Sequence, residues 1–145
     1  MPSCEVTAIR VSCAIIEKSG KILAARRGPE MAMPLKWELP GGKIEAHESP
    51  QDCLKREIFE ELNIQIRILD SLNHITYDYP DFTILLYPFI CQIIKGKIQL
   101  AEHTAIRWLA PRDLKTLDWA LADLLVIEAY CLGRENKNTK WKLKK

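Results

Sequence analysis

Three carboxylates, Glu57, Glu60 and Glu61, fall within five residues of one another. The surrounding segment, residues 49–62, reads as a helix. At about 100° per residue, Glu60 stands about 60° to one side of Glu57 and Glu61 about 40° to the other, so all three share a face. Leu54, Ile58 and Leu62 form an apolar stripe beside it. Like charges three and four apart destabilise a helix by a few tenths of a kcal/mol per pair, and the helix dipole disfavours negative charge near the C-terminal end. Local stability therefore does not select this pattern. A divalent cation would compensate it, and magnesium suits the donors: it takes oxygen ligands, one or two carboxylates together with water and substrate phosphates. Taken alone, the same helix could be a solvated acidic face. The preceding residues shift that balance. Pro40-Gly41-Gly42-Lys43 puts two glycines where backbone can approach a ligand closely. The cations Arg27 and Lys43 flank the loop in sequence and could meet phosphate oxygens. Carboxylates for a metal beside cations for phosphate describe phosphoryl-transfer or phosphohydrolase chemistry.

Several elements must position these groups. Val6 to Ile16 reads as a strand and Lys21 to Ala25 as its hairpin partner across Ser19-Gly20. Trp37 to Leu39 is a short strand within an irregular, proline-containing stretch. Ser49 is placed to cap the acidic helix, Pro50 to occupy its first position, and Asn63 to end it in the left-handed conformation. Extended segments follow at Ile64 to Ile68, His74 to Tyr79 and Phe82 to Ile94, then a tight turn at Lys95-Gly96-Lys97 and a strand from Ala105 to Leu109. Pro111 opens a short helical piece. A second full helix runs from Ala120 to Leu132, with Gly133 as its stop. Strands, helix, strands, helix is the order of an α+β protein: a mixed β-sheet between helices, an α/β/α sandwich.

The chain has 145 residues and reads as one domain, residues 1–133, followed by a basic, frayed tail, residues 134–145. The formal net charge of +2 averages unlike parts. The tail carries six basic residues against Glu135, a net of +5, which leaves the body at −3. A nucleic-acid surface must span several phosphates, and cations on a frayed end beyond an acidic body argue against one. No secretory leader and no apolar stretch of membrane-spanning length is visible. Five scattered cysteines without a paired spacing read as reduced thiols, not as a zinc or thiol-catalysis set. These features suggest a cytoplasmic protein. His47, His74 and His103 lack metal-ligand spacing and read as non-catalytic. Trp37, Trp108 and Trp119 read as packing residues.

The stretch from Gly42 to Ile64 resembles the Nudix box. Gly42, Glu48, Arg56, Glu57, Ile58, Glu60, Glu61 and Ile64 all fall in its register, and Asn63 stands where the box has glycine. Trp37-Glu38-Leu39-Pro40-Gly41-Gly42-Lys43, the stretch Glu102 to Leu109, and the stretch Leu117 to Asp123 are similar to segments of the MutT-like branch. The resemblance implies the Nudix fold and hydrolysis of a nucleoside diphosphate linked to another group. Within that branch it implies a nucleoside triphosphate cut to the monophosphate and pyrophosphate.

The resemblance also implies roles. Glu57, Glu60 and Glu61, with the carbonyl of Gly41, would hold magnesium, manganese being the alternative. Glu57 is the member nearest a catalytic-base role. Glu102 matches a further metal-linked acid from a distant loop, though it could be a plain surface acid. Arg56 would orient the acidic cluster, and Glu48 would pair with Arg56 or stand in an outer metal shell. Arg27 and Lys43 are the candidates for phosphate contacts. Asp123 matches a base-reading position that carries Asn in bacterial MutT-type proteins. An ionised Asp only accepts hydrogen bonds, which suits an oxidised guanine or a cytosine nucleotide; a protonated Asp would read another pattern, and a helix-capping role is the alternative. Phe82 could flank the base or belong to the core.

The leading expectation is a magnesium-dependent pyrophosphohydrolase of the 8-oxo-dGTP type, monomeric or homodimeric, with a small nucleotide as its partner. A CTP or 5-methyl-dCTP pyrophosphohydrolase and an ADP-sugar or dinucleotide pyrophosphatase are alternatives within the family. A non-catalytic, nucleotide-binding regulatory module is the alternative of another class.

Overall fold

The structure, a computed structural model, describes residues 8–143, with side chains as far as Arg134. Val6, Thr7, Cys4 and the side chains of the basic tail beyond Arg134 lie outside the described residues. Eight strands form one mixed sheet whose main path runs β3-β2-β1-β7-β5. The strands β1 (Ala8–Lys18) and β7 (Thr83–Gly96) are parallel neighbours at its centre. Antiparallel partners extend it: β2 (Lys21–Arg26) with β1, β3 (Trp37–Glu38) and β8 (Ala105–Leu109) on β2, β4 (Gly41–Lys43) on β1, and β5 (Ile64–Ser71) and β6 (Ile75–Asp78) on β7. Helix α1 (Pro50–Leu62), a short 3-10 helix (Pro111–Thr116) and helix α2 (Leu121–Leu143) complete the chain.

β1 shows why the sheet needs a layer on each side. Successive strand residues point to opposite faces. Cys13 and Ile15 enter one cluster, with Val126, Ile127 and Tyr130 of α2. Ala14 and Ile16 enter the other, with Leu54, Ile58 and Leu62 of α1. Both clusters are fully packed, so the central strand is apolar on consecutive residues rather than alternating. This is the expected mixed sheet between helices.

The acidic helix forms as its ends dictate. The Ser49 hydroxyl oxygen accepts from the Asp52 N–H, Pro50 occupies the first turn, and Asn63 closes the helix at φ 61° with its N–H on the Phe59 carbonyl. The Ser19-Gly20 turn is also as expected, with both residues at positive φ.

Two expectations are corrected. Lys95-Gly96-Lys97 is not a tight turn: β7 continues through Gly96, which pairs with Ile64. Glycine is required there for another reason, since a Cβ would lie 2.7 Å from the Asn63 carbonyl oxygen and φ is +100°. Gly133 does not stop the second helix, whose backbone continues to Leu143; an interior glycine lowers helix stability without compelling a break.

Candidate functional site

The sheet's central strand builds the metal-facing loop. Gly41 and Gly42 pair across β4 with Cys13 and Ser12 of β1. The approach is so close that a Cβ on Gly41 would stand 2.0 Å from the Ser12 carbonyl oxygen. Ser12 in turn donates its hydroxyl to the Pro50 carbonyl at 2.7 Å, tying β1 to the first turn of α1. The carboxyl of Glu57 lies directly over Gly42, with its Cδ 2.3 Å from the place a Cβ would take. Loop and helix are thus fitted to each other with no room for a side chain between them.

Arg56 sets the orientation of the acids around it. Its guanidinium grips Glu48 with two bonds, Nε to Oε2 at 2.8 Å and Nη2 to Oε1 at 3.0 Å. Nη1 reaches Glu57 at 3.0 Å and Glu60 at 3.3 Å. Glu48 is held from behind by the Glu45 N–H at 3.0 Å. The Arg56 fork keeps the Glu48 carboxyl at about 2, well below the usual carboxylate value, with the Glu45 N–H adding to the effect.

The three helix acids differ in environment. Glu60 is 56% exposed, Glu57 20% and Glu61 18%. Burial raises the Glu57 carboxyl, and Arg56 opposes the rise. Glu61 has no such cation; burial, then the charges of Glu38, Glu57 and Glu102, push it up to about 9. Its Oε1 is buried with no hydrogen-bond partner. A buried carboxyl oxygen without a donor, beside two more acids, is neutralised either by a proton or by a bound cation. Among the described residues no trio of Asp, Glu, His or Cys closes on a single point as a ready-made cage.

A cleft of about 660 Å³ opens beside these groups. Of the residues singled out from the sequence, it brings together Arg27, Gly41, Lys43, Glu57, Glu60, Glu61, Phe82, Glu102 and Asp123. Glu48 and Arg56 stand outside its lining, in the network just described. Glu38 and Ser12 also line it, and its other walls are mostly apolar, including Met31, Met33, Ile84 and Leu86, with Tyr79. Phe82 stacks on Tyr79 with ring centroids 5.0 Å apart. Asp123 is buried, and its Oδ1 accepts from the Leu39 N–H at 3.2 Å. Burial, then the charge of Glu38, pushes its carboxyl up to about 8. Near neutral pH Asp123 is therefore largely protonated, an O–H donor as well as an acceptor, rather than the accept-only carboxylate of the simplest reading. The segment leading into α2, just before Asp123, is pinned to β3: Trp37 N–H donates to the Asp118 carbonyl and Ala120 N–H to the Trp37 carbonyl, each at 2.9 Å.

Two residues given no role from the sequence occupy the middle of this arrangement. Glu38 pairs with Arg27 (Nη1 to Oε1, 2.5 Å) and with His103 (Nε2 to Oε2, 2.7 Å). Arg27 also donates from Nε to the Ala32 carbonyl at 2.5 Å. His74 stacks obliquely on Tyr87 and does not line the cleft. Trp119 is buried and donates from its indole to the Leu114 carbonyl, while Trp37 and Trp108 pack against the two core clusters. Cys13, Cys53 and Cys91 are buried free thiols. No helix among the described residues is long and apolar enough to cross a membrane.

Residues 6–130 match the NUDIX domain, and the chain belongs to that family. It is 34% identical over 122 residues to the CTP pyrophosphohydrolase of Escherichia coli, an alignment covering 84% of this chain and 90% of that one. It is 38% identical over 93 residues to the 8-oxo-dGTP diphosphatase of Buchnera aphidicola, covering 64% and 75%. The solution structure of the E. coli ORF135 protein superposes with a TM-score of 0.79 at 32% identity, covering 92% of this chain and 96% of that one. The protein is a MutT-like Nudix hydrolase acting on phosphoric anhydride bonds, of a family that generally uses divalent metal ions.

Proposed function

We propose that this protein hydrolyses a nucleoside triphosphate to the monophosphate and pyrophosphate in a magnesium-dependent reaction, with 8-oxo-dGTP as its substrate. The observation that carries the reading is the one cleft that Glu57, Glu60, Glu102 and Glu61, whose Oε1 is buried without a partner, line together with the cations Arg27 and Lys43 and the buried carboxyl of Asp123. Glu57, Glu60, Glu61, Glu102 and the Gly41 carbonyl would hold magnesium, with manganese as a substitute. When bound, the ion neutralises phosphate charge and lowers the pKa of an attacking water. Arg56 and Glu48 act behind the acids: the guanidinium fixes the Glu57 rotamer, and Glu48 fixes the guanidinium. Glu57 is the candidate to take a proton from water: burial raises its carboxyl and so strengthens it as a base, while Arg56 opposes the rise and favours the ionised form a base needs. Lys43 is exposed on the cleft wall, and Arg27 has donors left after Glu38 and Ala32; both serve the phosphates. Asp123 reads the base edge, with Phe82 and Tyr79 against the ring.

A second reading places a cytosine nucleotide, CTP or 5-methyl-dCTP, in the same cleft. The long alignment with the CTP pyrophosphohydrolase supports it, and a protonated Asp123 can accept from the cytosine amino group. An ADP-sugar or dinucleotide would instead leave a sugar phosphate or a second nucleotide as product. A panel of 8-oxo-dGTP, dGTP, CTP, 5-methyl-dCTP and ADP-ribose, with both products identified, tests these readings together. The proposal expects pyrophosphate and a monophosphate, fastest from 8-oxo-dGTP. Preference for the cytosine nucleotides moves the assignment to the second reading, and preference for ADP-ribose overturns both.

A further inference from the structure

We propose that His103 is a positioning residue, which through Glu38 holds the Arg27 guanidinium at the cleft and so links the end of β2, which Arg27 directly follows, to the helix carrying Glu61. Three adjacent strands bring the group together. β2 lies between β3 and β8, with Ala25 opposite Glu38 and Arg26 opposite Ala105. Arg27, Glu38 and His103 therefore meet at one end of β2, although 76 positions separate the first and last.

The loop bearing His103 is fastened on both sides. Before it, the Gln99 N–H donates to the Leu62 carbonyl and the Ala101 N–H to the Glu61 carbonyl, at 3.0 and 3.2 Å, at the end of α1. After it, the Thr104 N–H donates to the Arg26 carbonyl at 3.0 Å, and Arg26 Nε returns a bond to the Thr104 hydroxyl. Between these fastenings the imidazole is only 1% exposed. Glu38, already accepting from Arg27, accepts from Nε2 on its other oxygen. A carboxylate held at both oxygens by donors from two elements is restrained, and with it the guanidinium it pairs with, which the Ala32 carbonyl holds at Nε. The other ring nitrogen, Nδ1, is buried without a partner and stands 3.8 Å from Glu61 Oε2. The two ring nitrogens of the imidazole thus face the carboxylates of β3 and α1.

The inference rests on the reading of Arg27 as a phosphate contact, and the variants separate the two. His103→Gln keeps an amide nitrogen near the place of Nε2, whereas His103→Ala removes the bond to Glu38. With thermal melts confirming folded protein, H103A is expected to raise KM for the preferred nucleoside triphosphate about 10-fold while kcat changes less than about 3-fold, the size of losing one charge-assisted bond. H103Q is expected to restore KM to within about 3-fold. Arg27→Met should raise KM comparably, and H103A in the R27M background should add nothing further, because both act through one contact. An unchanged KM in R27M overturns the Arg27 reading and this inference with it. A raised KM in R27M with an unchanged KM in H103A, equal defects in H103A and H103Q, or additivity of the two substitutions overturns the inference alone.

Discussion

The carboxyl carbon of Glu57 lies 2.3 Å from the position a Cβ on Gly42 would occupy. The glycine is there to admit a carboxylate, and substituting it should separate activity from stability. In Gly42→Ala the obstructed group is the end of a flexible side chain, so the fold should survive while Glu57 is displaced. Turnover is expected to fall by about 100-fold or more with little change in melting temperature, since a 1 Å misplacement of a reacting group can cost that much. Gly41→Ala should behave oppositely, because its Cβ would meet the backbone oxygen of Ser12. Parallel melting curves and initial rates on the two variants check this.

Arg56 should tolerate no cationic substitute. Its fork makes two bonds to Glu48 and another to Glu57, and Lys offers a point charge without that geometry. Arg56→Lys is expected to lose about 10- to 100-fold in metal affinity or activity, the usual scale for groups that orient ligands from behind. A manganese titration followed by electron paramagnetic resonance, together with kcat, measures both.

Asp123 should leave a signature in the pH dependence of stability. Its carboxyl is raised to about 8 by burial, above the unfolded value of about 3.9. The folded state therefore holds the proton more tightly. The stability this contributes is complete below the unfolded value and is lost as pH rises through about 8. Glu61, raised to about 9, adds a loss of the same sign. Without divalent ions, the melting temperature should decline from pH 5 to pH 9, and Asp123→Asn should make the decline shallower. Equal slopes for both proteins would contradict the burial argument.

Local signals carried the helix and its acids. The Ser49 cap, the Pro50 start, the Asn63 stop and the apolar stripe of Leu54, Ile58 and Leu62 are all written within fifteen consecutive positions, and the helix forms as those residues require. Asn63 shows that the glycine of the motif is replaceable by the residue best able to take φ 61°. Long-range pairing carried the rest and was not legible. Glu38 and His103 meet only because β3 and β8 both pair with β2, and no periodicity in one sequence records a strand order. Gly96 and Gly133 misled for a related reason. A glycine marks conformational freedom or close approach as readily as an ending, and only the neighbouring backbone of Asn63 shows what Gly96 is for. The pKa of Asp123 likewise depends on burial and on Glu38, far away in sequence.

The most direct measurement is product analysis on a nucleoside triphosphate with magnesium, comparing the wild-type protein with Glu57→Gln and Glu61→Gln. The wild-type protein should release one pyrophosphate and one nucleoside monophosphate per turnover, and both variants should remain folded and lose at least about 100-fold in rate. Release of orthophosphate in place of pyrophosphate, or undiminished turnover in either folded variant, would contradict the assignment of the cleft.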